Sequence, residues 1–356
     1  MYQDLCMGCF QKMNGGIHCA TCGWKRNREK NNATTLPMGT VVLQRYLIGR
    51  VLGQGGFGIT YAAMDLHENR RVALKEYYPI DIASRSHNLD VVPISEEYVS
   101  VFEYGIQRFL EEAQALSRFS RHPGIVAVYN FFYSHQTAYM SMQFLEGSTW
   151  MKKIEDSGGR MSVTEAMNIL LPALDALQAV HEVGMLHRDI SPDNIIILPN
   201  KQVKLIDFGA ARYAMKQQNQ EFSIVFKPGY TPEEQYRSRG NRGPWSDLYS
   251  IAATFYRAIT GKIPLDAMNR LGNDTLLPPS KNGVRISSGM EQAIMKALAV
   301  KGENRYQSVL EFKHALLQGN SAPVEIVPEN KTLVWIGLLG AVFVLFVLMF
   351  LFLLLL

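Results

Sequence analysis

Residues 187–195 have the sequence HRDISPDNI and lead directly into the apolar run IIIL of residues 195–198. Most of the nine residues are polar or charged, and such groups are costly to bury unless each finds a partner. A hydrophobic core is therefore a poor place for them, whereas the short apolar run predicts a strand. We predict that this segment is a catalytic loop lying against a strand.

The composition of the whole chain is that of a globular protein. Its 356 residues leave room for one large or two ordinary domains, and 47% of them are hydrophobic and 19% charged. The formal net charge of +4 is small, and no basic block carries interleaved aromatic residues. The sequence therefore predicts no nucleic-acid partner.

All four cysteines lie within the first 22 residues, as the CxxC pairs Cys6, Cys9 and Cys19, Cys22. Two such turns can direct four thiolates at one ion, which predicts a tetrahedral Zn²⁺ ribbon over residues 1–24, with iron as a minor alternative. Two disulfides or unligated thiols are the other alternative, but nothing in these first residues resembles the signal peptide expected of an extracellular, disulfide-bonded domain. Because so short a segment buries little core, the metal would supply most of its folding free energy.

Residues 333–356 contain no charged side chain. As a helix they would be about 36 Å long at about 1.5 Å per residue, which is enough to cross a bilayer. A buried helix of a soluble domain is the alternative, although such a helix is rarely apolar on every face. We predict one transmembrane helix, and Lys331 before it favours a cytoplasmic N-terminus and main domain.

Two polar segments, residues 25–45 and 318–332, separate these ends from the middle of the chain and predict linkers. The domain between them, residues 46–317, begins with strand-like runs such as RRVALKEYY. Its second part is dominated by helical patterns such as SDLYSIAATFYRAITG. A β-rich part followed by an α-rich part predicts an α+β fold of two lobes, with a ligand-binding cleft between them.

A glycine-rich segment between two strand-like runs predicts a phosphate-binding loop. Glycines let the backbone turn tightly and bring its N–H groups onto phosphate oxygens. A dinucleotide-binding turn is the alternative, but it needs a helix directly after the glycines, and residues 59–61, ITY, continue as strand. The residues of this loop are Gly53, Gln54, Gly55, Gly56, Phe57 and Gly58.

Lys75 ends the strand-like run VALK, where an ammonium group is costly unless it meets an anion or lies at an edge in water. The helical segment RFLEEAQALSRF offers Glu111 and Glu112 as partners, and we favour Glu112 because it lies four residues before the apolar Leu116. Further along, Asp207 precedes Phe-Gly. An aspartate that reaches phosphate oxygens is a magnesium ligand, and the glycine permits an unusual backbone turn.

These motifs, the glycine-rich loop, VALK, HRDxxxxN and DFG, occur in one order and at characteristic intervals. Over residues 46–317 the sequence resembles a Hanks-type (eukaryotic-like) protein kinase, and most of all the bacterial membrane-linked serine/threonine kinases, in which KEYYP and KPGYxPxEQY are familiar. The resemblance implies a two-lobed kinase fold, ATP and Mg²⁺ as cofactors, and proteins as substrates. It also implies that Asp247 braces the catalytic loop and that Glu234 pairs with Arg305.

The roles of the family carry over by position. The glycine-rich loop would cover the ATP phosphates, and Lys75 would hold the α- and β-phosphates and pair with Glu112. Asp189 would accept or orient the substrate hydroxyl proton, while Asn194 and Asp207 would hold two Mg²⁺ ions. The residues implied to enclose adenine are Ala73, Met142 and Ile196, and the hinge between the lobes would run from Gln143 to Gly147, with Gln143 among the ATP-binding residues.

The sequence departs from the family pattern in three places. Lys75 and Glu112 are 37 positions apart, about twice the family's spacing, so an insertion precedes the helix and either controls its position or is a surface excursion. Ser191 replaces the lysine that usually lies two residues after the catalytic aspartate. Lys227 replaces the threonine of the family's Gly-Thr-Pro segment.

We hypothesise that the last two changes compensate each other. Lys227 would place its ammonium in the space vacated at position 191, so the positive charge would come from the activation segment. Activity would then depend on the order of that segment, in which Ser223 is the candidate autophosphorylation site. The alternative is an exposed Lys227 and a slower enzyme.

The sequence therefore predicts a membrane-tethered serine/threonine protein kinase with a zinc ribbon, with a homodimer as the hypothesis for mutual phosphorylation. Three alternatives stay open. A pseudokinase scaffold that binds ATP and recruits partners at the membrane would account for Ser191. A small-molecule phosphotransferase would share the fold, and tyrosine specificity would be compatible with the loss of the lysine that usually marks serine/threonine enzymes.

Overall fold

The computed structural model describes residues 4–13, 16–26, 32–209, 226–237 and 240–321, and it confirms the two lobes that the sequence predicts. The strands are β1 (Val41–Val42), β2 (Tyr46–Gly55), β3 (Gly58–Asp65), β4 (Arg70–Tyr77), β5 (Ala83–Arg85), β6 (Val91–Pro93), β7 (Val128–Ser134), β8 (Thr137–Gln143), β9 (Ser148–Thr149), β10 (Ile195–Ile197) and β11 (Val203–Leu205). The helices are α1 (Val99–Ser117), α2 (Trp150–Asp156), α3 (Val163–Glu182), α4 (Glu233–Tyr236), α5 (Pro244–Thr260), α6 (Ser288–Ala297) and α7 (Val309–Ser321). Short 3₁₀ turns lie at Glu96–Tyr98, Pro192–Asn194, Pro279–Asn282 and Gly302–Asn304.

An antiparallel sheet with the strand order β1-β2-β3-β4-β8-β7 forms the first lobe. Most residues of the interior strands β4 and β8 are buried. Helix α1 contributes Phe102, Phe109 and Leu116, which are spaced seven residues apart and therefore lie on one face. The core of this lobe includes that face and the sheet, and Lys75 lies in the interior strand β4.

Helices α3 and α5 form the centre of the second lobe. α3 begins at a capping box, in which the Ser162 hydroxyl accepts the N–H of Glu165 and the Glu165 carboxylate accepts the N–H of Ser162. α5 is buried over almost its whole length, which is why its sequence is apolar on most faces. A small sheet in the order β11-β10-β9 packs beside α3, and the segment HRDISPDNI leads into its central strand β10.

Residues 32–45 are part of the first lobe, so the prediction of a linker over residues 25–45 is wrong for this stretch. Leu36 is only 2% exposed, and its N–H donates to the Tyr61 hydroxyl over 3.0 Å. Strand β1, whose Val42 is fully buried, pairs with β2. Leu36 and Val42 are buried in the lobe, but the polar residues that surround them in the sequence did not indicate this.

The cysteine-containing segment docks onto the same lobe. Met7 and Phe10 pack with Leu47 of β2 in one buried apolar cluster. The Met7 carbonyl accepts the N–H of Arg50 over 2.8 Å. Gly49 makes this approach feasible, because a Cβ at that position would lie 2.3 Å from the Met7 carbonyl oxygen. The N-terminal segment is therefore joined to the kinase-like part through β2.

The predicted elements at the other end of the chain are described only in part. Helix α7 runs to Ser321, so the first residues of the predicted linker 318–332 continue a helix. The rest of that linker, the predicted membrane helix over residues 333–356 and Ser223 lie outside the described residues. Within the part that is described, no helix is long and apolar enough to cross a bilayer.

The insertion ahead of α1 contains a folded hairpin, in which β5 pairs with β6. Arg85 of β5 forms a bidentate ion pair with Glu76 at 2.6 and 3.0 Å, and both side chains are buried. The hydroxyls of Tyr61 and Tyr139 donate to the same carboxylate at 2.9 and 2.6 Å. The insertion is therefore fixed to the strand that carries Lys75 and is more than a surface excursion.

Arg85→Ala should lower the free energy of unfolding by about 3–5 kcal/mol, because it leaves the Glu76 carboxylate buried without its cation. Lys152→Ala is the matched control. It breaks an ion pair with Asp156 in which the side chains are 57% and 55% exposed, and it should leave the free energy of unfolding close to that of wild type. Urea unfolding of the full chain, followed by tryptophan fluorescence, measures both variants, and equal losses would contradict this role of Arg85.

Candidate active site

Two antiparallel strands bring the segment 187–195 next to Asp207. Strand β10 follows the polar part of this segment, and its partner β11 ends just before Asp207. The N–H of Ile206 donates to the Asn194 carbonyl over 3.0 Å, which fixes the two chain segments side by side. The polar loop therefore lies against a strand, and the pairing of β10 with β11 places the DFG motif beside the loop.

The carboxylate of Asp247, on α5, holds the backbone of this loop. It accepts the N–H groups of His187 and Arg188, each at 2.8 Å, and lies 2.8 Å from Nε2 of His181. Arg188 has a φ of 65°, a conformation that costs a non-glycine residue free energy unless its surroundings fix it. Burial raises the pKa of Asp247, but its hydrogen bonds and the nearby histidines outweigh burial and hold that pKa below its usual value.

Asp189 and Asn194 are joined across the loop. The Asn194 amide nitrogen donates to the Asp189 carbonyl at 2.7 Å and to the Asp189 carboxylate at 3.0 Å. These bonds orient the Asn194 amide, whose oxygen is the atom able to bind a metal ion. The Asp189 side chain keeps 19% of its surface exposed, so that a substrate hydroxyl can still reach it.

Lys75 and Asp207 form an ion pair between the lobes, with Nζ 2.9 Å from Oδ1. Burial lowers the pKa of Lys75, but the negative charges of Asp207 and Glu112 outweigh burial and raise that pKa above its usual value. Burial likewise raises the pKa of Asp207, and Lys75 reverses this effect and holds it low. Both groups are therefore ionised at neutral pH, as binding of phosphate and Mg²⁺ requires.

The turn at Asp207 is fixed by its neighbours. Asp207 has a φ of 56°, which is a left-handed conformation. The Phe208 ring stacks on His187 with a centroid distance of 4.2 Å, and the N–H of Gly209 donates to the His187 carbonyl over 2.9 Å. These contacts attach the DFG motif to the catalytic loop and direct the Asp207 carboxylate towards Lys75.

Glu112, rather than Glu111, faces the interior of the first lobe. Glu112 is 4% exposed on the buried face of α1, whereas the Glu111 side chain is 45% exposed and pairs with Arg108. The negative charge of Glu112 contributes to the raised pKa of Lys75. The burial pattern therefore favours the choice made from the position of Leu116 in the sequence.

The glycine-rich loop is the hairpin between β2 and β3, closed by the pair Gly55 and Gly58. Side chains at Gly55 and Gly56 would meet no atom within 4 Å, so space remains beside this backbone. Gln54 Nε2 donates to the Thr34 hydroxyl over 3.2 Å, which links the loop to the segment after the cysteines. The hairpin contains all six predicted residues, Gly53, Gln54, Gly55, Gly56, Phe57 and Gly58.

An apolar cluster includes residues of the paired strands β4 and β8 and the residue that follows β11. Ala73 of β4 is the register partner of Met142 of β8, and both pack with Val126, Leu145 and Ile206. The cluster is separate from the main core and offers an apolar wall for a planar ring. Leu145 lies within the predicted hinge, whereas sequence reasoning missed Val126 and Ile206; the one available signal was the adjacency of Ile206 to the DFG motif.

Gln143 and Ile196 lie on either side of the connection between the lobes. The N–H of Gln143, at the end of β8, donates to the Ala127 carbonyl over 2.8 Å. Gly147 approaches β10 so closely that a Cβ there would lie 2.7 Å from Cγ2 of Ile196. The residues predicted to enclose adenine are therefore distributed over β4, β8 and β10, around this connection.

Lys227 lies beside Ser191 and Asp189. Its Nζ is 2.9 Å from Oγ of Ser191 and 3.3 Å from the Asp189 carboxylate. Ser191 has no exposed surface, and the Lys227 side chain is 30% exposed. The alternative of a Lys227 that projects into solvent does not match this position.

A buried ion pair anchors the segment that follows Lys227. Arg305 donates to both carboxylate oxygens of Glu234, at 2.8 and 3.1 Å, which is the pairing that the family resemblance implies. The Ser246 hydroxyl donates to the same carboxylate at 2.7 Å. Helix α4 is thereby fixed to the second lobe.

The four cysteine sulfurs form a separate cluster, in which all lie within 4.8 Å of one another. Cys6 and Cys22, and likewise Cys9 and Cys19, are 3.5 Å apart, far more than the roughly 2.05 Å of a disulfide bond. The thiols are free, and those of Cys6, Cys9 and Cys19 are buried. This arrangement is compatible with a four-thiolate metal site and not with two disulfides.

Comparison with known proteins gives a consistent result. Residues 46–306 match the family described as "Protein kinase domain". The serine/threonine-protein kinase Pkn1 of Myxococcus xanthus is 30% identical over 295 residues, which cover 79% of this chain and 39% of Pkn1. The serine/threonine-protein kinase PknA of Nostoc sp. is 32% identical over 298 residues, covering 81% of this chain and 49% of PknA. The chain therefore spans less than half the length of these relatives.

A solved structure shows the same fold. The structure titled "PpkA-294 apo form" is 34% identical in sequence and superposes with a TM-score of 0.71. The match covers 80% of this chain and 99% of that one. The similarity therefore extends over the whole of that structure and over both lobes described above.

Proposed function

Because this chain belongs to the protein kinase family, with a domain of the bacterial serine/threonine type, we propose that the protein transfers the γ-phosphoryl group of ATP to serine and threonine hydroxyls of other proteins. The observation that carries this proposal is the convergence of Lys75 and Asp207, 2.9 Å apart, with the bonded pair Asp189 and Asn194. Phosphoryl transfer needs mainly positioning and charge neutralisation, and these side chains can supply both.

The residues present suit ATP and Mg²⁺. Asp207 and Asn194 offer the oxygen donors that Mg²⁺ prefers, and Lys75 is a charged ammonium beside them. When bound, the nucleotide supplies the transferable phosphoryl group and the metal ions neutralise its charge. Asp189, which Asn194 holds in place, would orient the substrate hydroxyl and take up its proton.

Asp189→Asn should lower phosphate transfer by about 10²–10⁴-fold, because an amide cannot take up the hydroxyl proton. Asp193→Asn is the matched control, since Asp193 is an exposed aspartate of the same loop and the variant should remain near wild type. The assay uses the full chain, Mg²⁺ and radioactive ATP, and mass spectrometry locates the phosphate. Full activity in Asp189→Asn would contradict the assignment.

The same assay separates the alternative functions. A wild-type chain that binds ATP but transfers no phosphate would support a scaffold, the function that Ser191 favours. Label on tyrosine alone would contradict the serine/threonine preference. Label on the Asp189→Asn chain in a mixture with wild type would demonstrate transfer between copies, as a homodimer that activates by mutual phosphorylation requires.

We also propose that the N-terminal segment is a zinc ribbon that braces the first lobe. Zn–S bonds of about 2.3 Å place tetrahedral sulfurs roughly 3.8 Å apart, and the four thiols lie at comparable separations, within 4.8 Å. Because Met7 and Phe10 pack onto β2, a bound metal would stabilise the lobe as well as the ribbon.

The purified full chain should therefore contain about one equivalent of zinc by elemental analysis. Cys9→Ser should lose most of this metal and melt at a lower temperature. Thr21→Ala is the control, because Thr21 lies between two of the cysteines but is exposed. One equivalent of iron would identify the minor alternative, and a wild-type chain without metal would contradict the ribbon.

We further propose that residues 333–356 anchor the protein in a membrane, with the ribbon and the kinase domain in the cytoplasm. The absence of charge over these residues and the position of Lys331 support this.

The full chain should sediment with membranes and resist extraction by alkaline carbonate, whereas a chain that ends at residue 330 should not. Protease added to intact spheroplasts should leave the kinase domain uncut. Recovery of the full chain in the soluble fraction would argue against the anchor.

A further inference from the structure

Lys227 brings an ammonium group to the active site from outside the segment 187–195. Its Nζ bonds to Ser191 at 2.9 Å and to Asp189 at 3.3 Å. The same Asp189 oxygen accepts the amide of Asn194 at 3.0 Å, so the ammonium shares its partner with a candidate metal ligand. The Lys227 side chain keeps 30% of its surface exposed, so a bound ligand can still reach it.

The charge of Lys227 also acts beyond these hydrogen bonds. Nζ of Lys75 lies 2.9 Å from the Asp207 carboxylate, and Lys227 is among the positive charges that act on the same carboxylate. Two lysines, one from each lobe, therefore act on one carboxylate. A phosphoryl group bound near Asp207 would lie in the field of both.

The backbone around Lys227 is held by the second lobe. Its carbonyl accepts the N–H groups of Tyr230 and Thr231 at 3.0 and 3.2 Å, which closes a turn. Gly229, inside this turn, has a φ of 85°, and a Cβ there would lie 2.4 Å from the carbonyl oxygen of Pro264. The turn is thus pressed against the lobe, and the ammonium is positioned before any substrate binds. Preorganised charge of this kind is effective in catalysis.

We propose that Lys227 is a catalytic residue, which supplies the positive charge missing at position 191 and contacts the phosphoryl oxygens during transfer. This inference rests on the proposed function. In that reaction the substrate hydroxyl oxygen bonds to the γ-phosphorus, the bond from this phosphorus to the bridging oxygen of ADP breaks, and the hydroxyl proton passes to Asp189. Lys227 keeps its own proton and stabilises the charge on the non-bridging oxygens. Ser191 accepts a hydrogen bond from the ammonium and orients it.

Lys227→Met tests the charge, because methionine keeps much of the apolar stem and removes the ammonium. It should lower kcat by about 10²–10³-fold and change KM for ATP far less. The relocated double variant Ser191→Lys/Lys227→Thr should recover kcat to within about tenfold of wild type, since it delivers an ammonium to the same place from the catalytic loop. Lys281→Met, at an exposed lysine of the second lobe, is the control and should equal wild type.

Initial rates of the full-length chains on dephosphorylated casein give kcat and KM, and thermal unfolding verifies that each variant is folded. Equal kcat for wild type and Lys227→Met overturns the proposal. A relocated variant that melts with wild type but is no more active than Lys227→Met also overturns it, because the lysine would then be structural. If Lys227→Met does not fold, the relocated variant and Lys227→Arg are compared with wild type instead, and loss of transfer in both variants, when each is folded, overturns the proposal. A wild-type chain without transfer would overturn the proposed function itself.

Discussion

The buried carboxylate of Asp247 is the interaction on which the active site depends. It satisfies two consecutive N–H groups, of His187 and Arg188, in a stretch that cannot join a helix or sheet because Arg188 is left-handed. A buried N–H without a partner costs about 1–3 kcal/mol, so this loop conformation needs such an acceptor. Asp189 follows directly and is bonded to both Asn194 and Lys227. A shift of the loop backbone would therefore displace three functional groups together.

The first lobe depends on a second buried carboxylate in a similar way. Glu76 accepts Arg85 from the insertion and the hydroxyl of Tyr61 from β3. Tyr61 in turn accepts the N–H of Leu36, and Arg85 donates to the Thr34 carbonyl. The Glu76 carboxylate, on the nucleotide-binding strand β4, thus links that strand to the insertion and to the segment after the cysteines. Parts of the chain that look like additions to the kinase domain are built into its sheet.

The fold and the centre of the site could be predicted from the sequence, because phosphoryl transfer fixes both the types of residue and their intervals. Lys75 and Asp207, which are paired in the structure, were identified in this way. What escaped prediction depends on partners that belong to no motif. The burial of Leu36 requires a tyrosine far along the chain, and in the sequence Arg85 and Glu76 resemble solvated charges. Hydrophobic periodicity predicts neither the burial of Leu36 nor this ion pair, because each depends on a neighbour that is known only from the three-dimensional structure.

Ser191 shows why a motif is better understood as a set of positions in space. The effect of an ammonium depends on the distance of its charge from the reacting group and on the surrounding dielectric, not on the segment that carries it. The catalytic loop and the turn at Lys227 are held close together, since Gln235 contacts the Arg188 carbonyl and α4 is anchored by Glu234. A lysine stem is long enough to reach the shared point from either segment. The loss of a charged residue from one motif therefore argues against activity only where no other segment brings a charge to the same place.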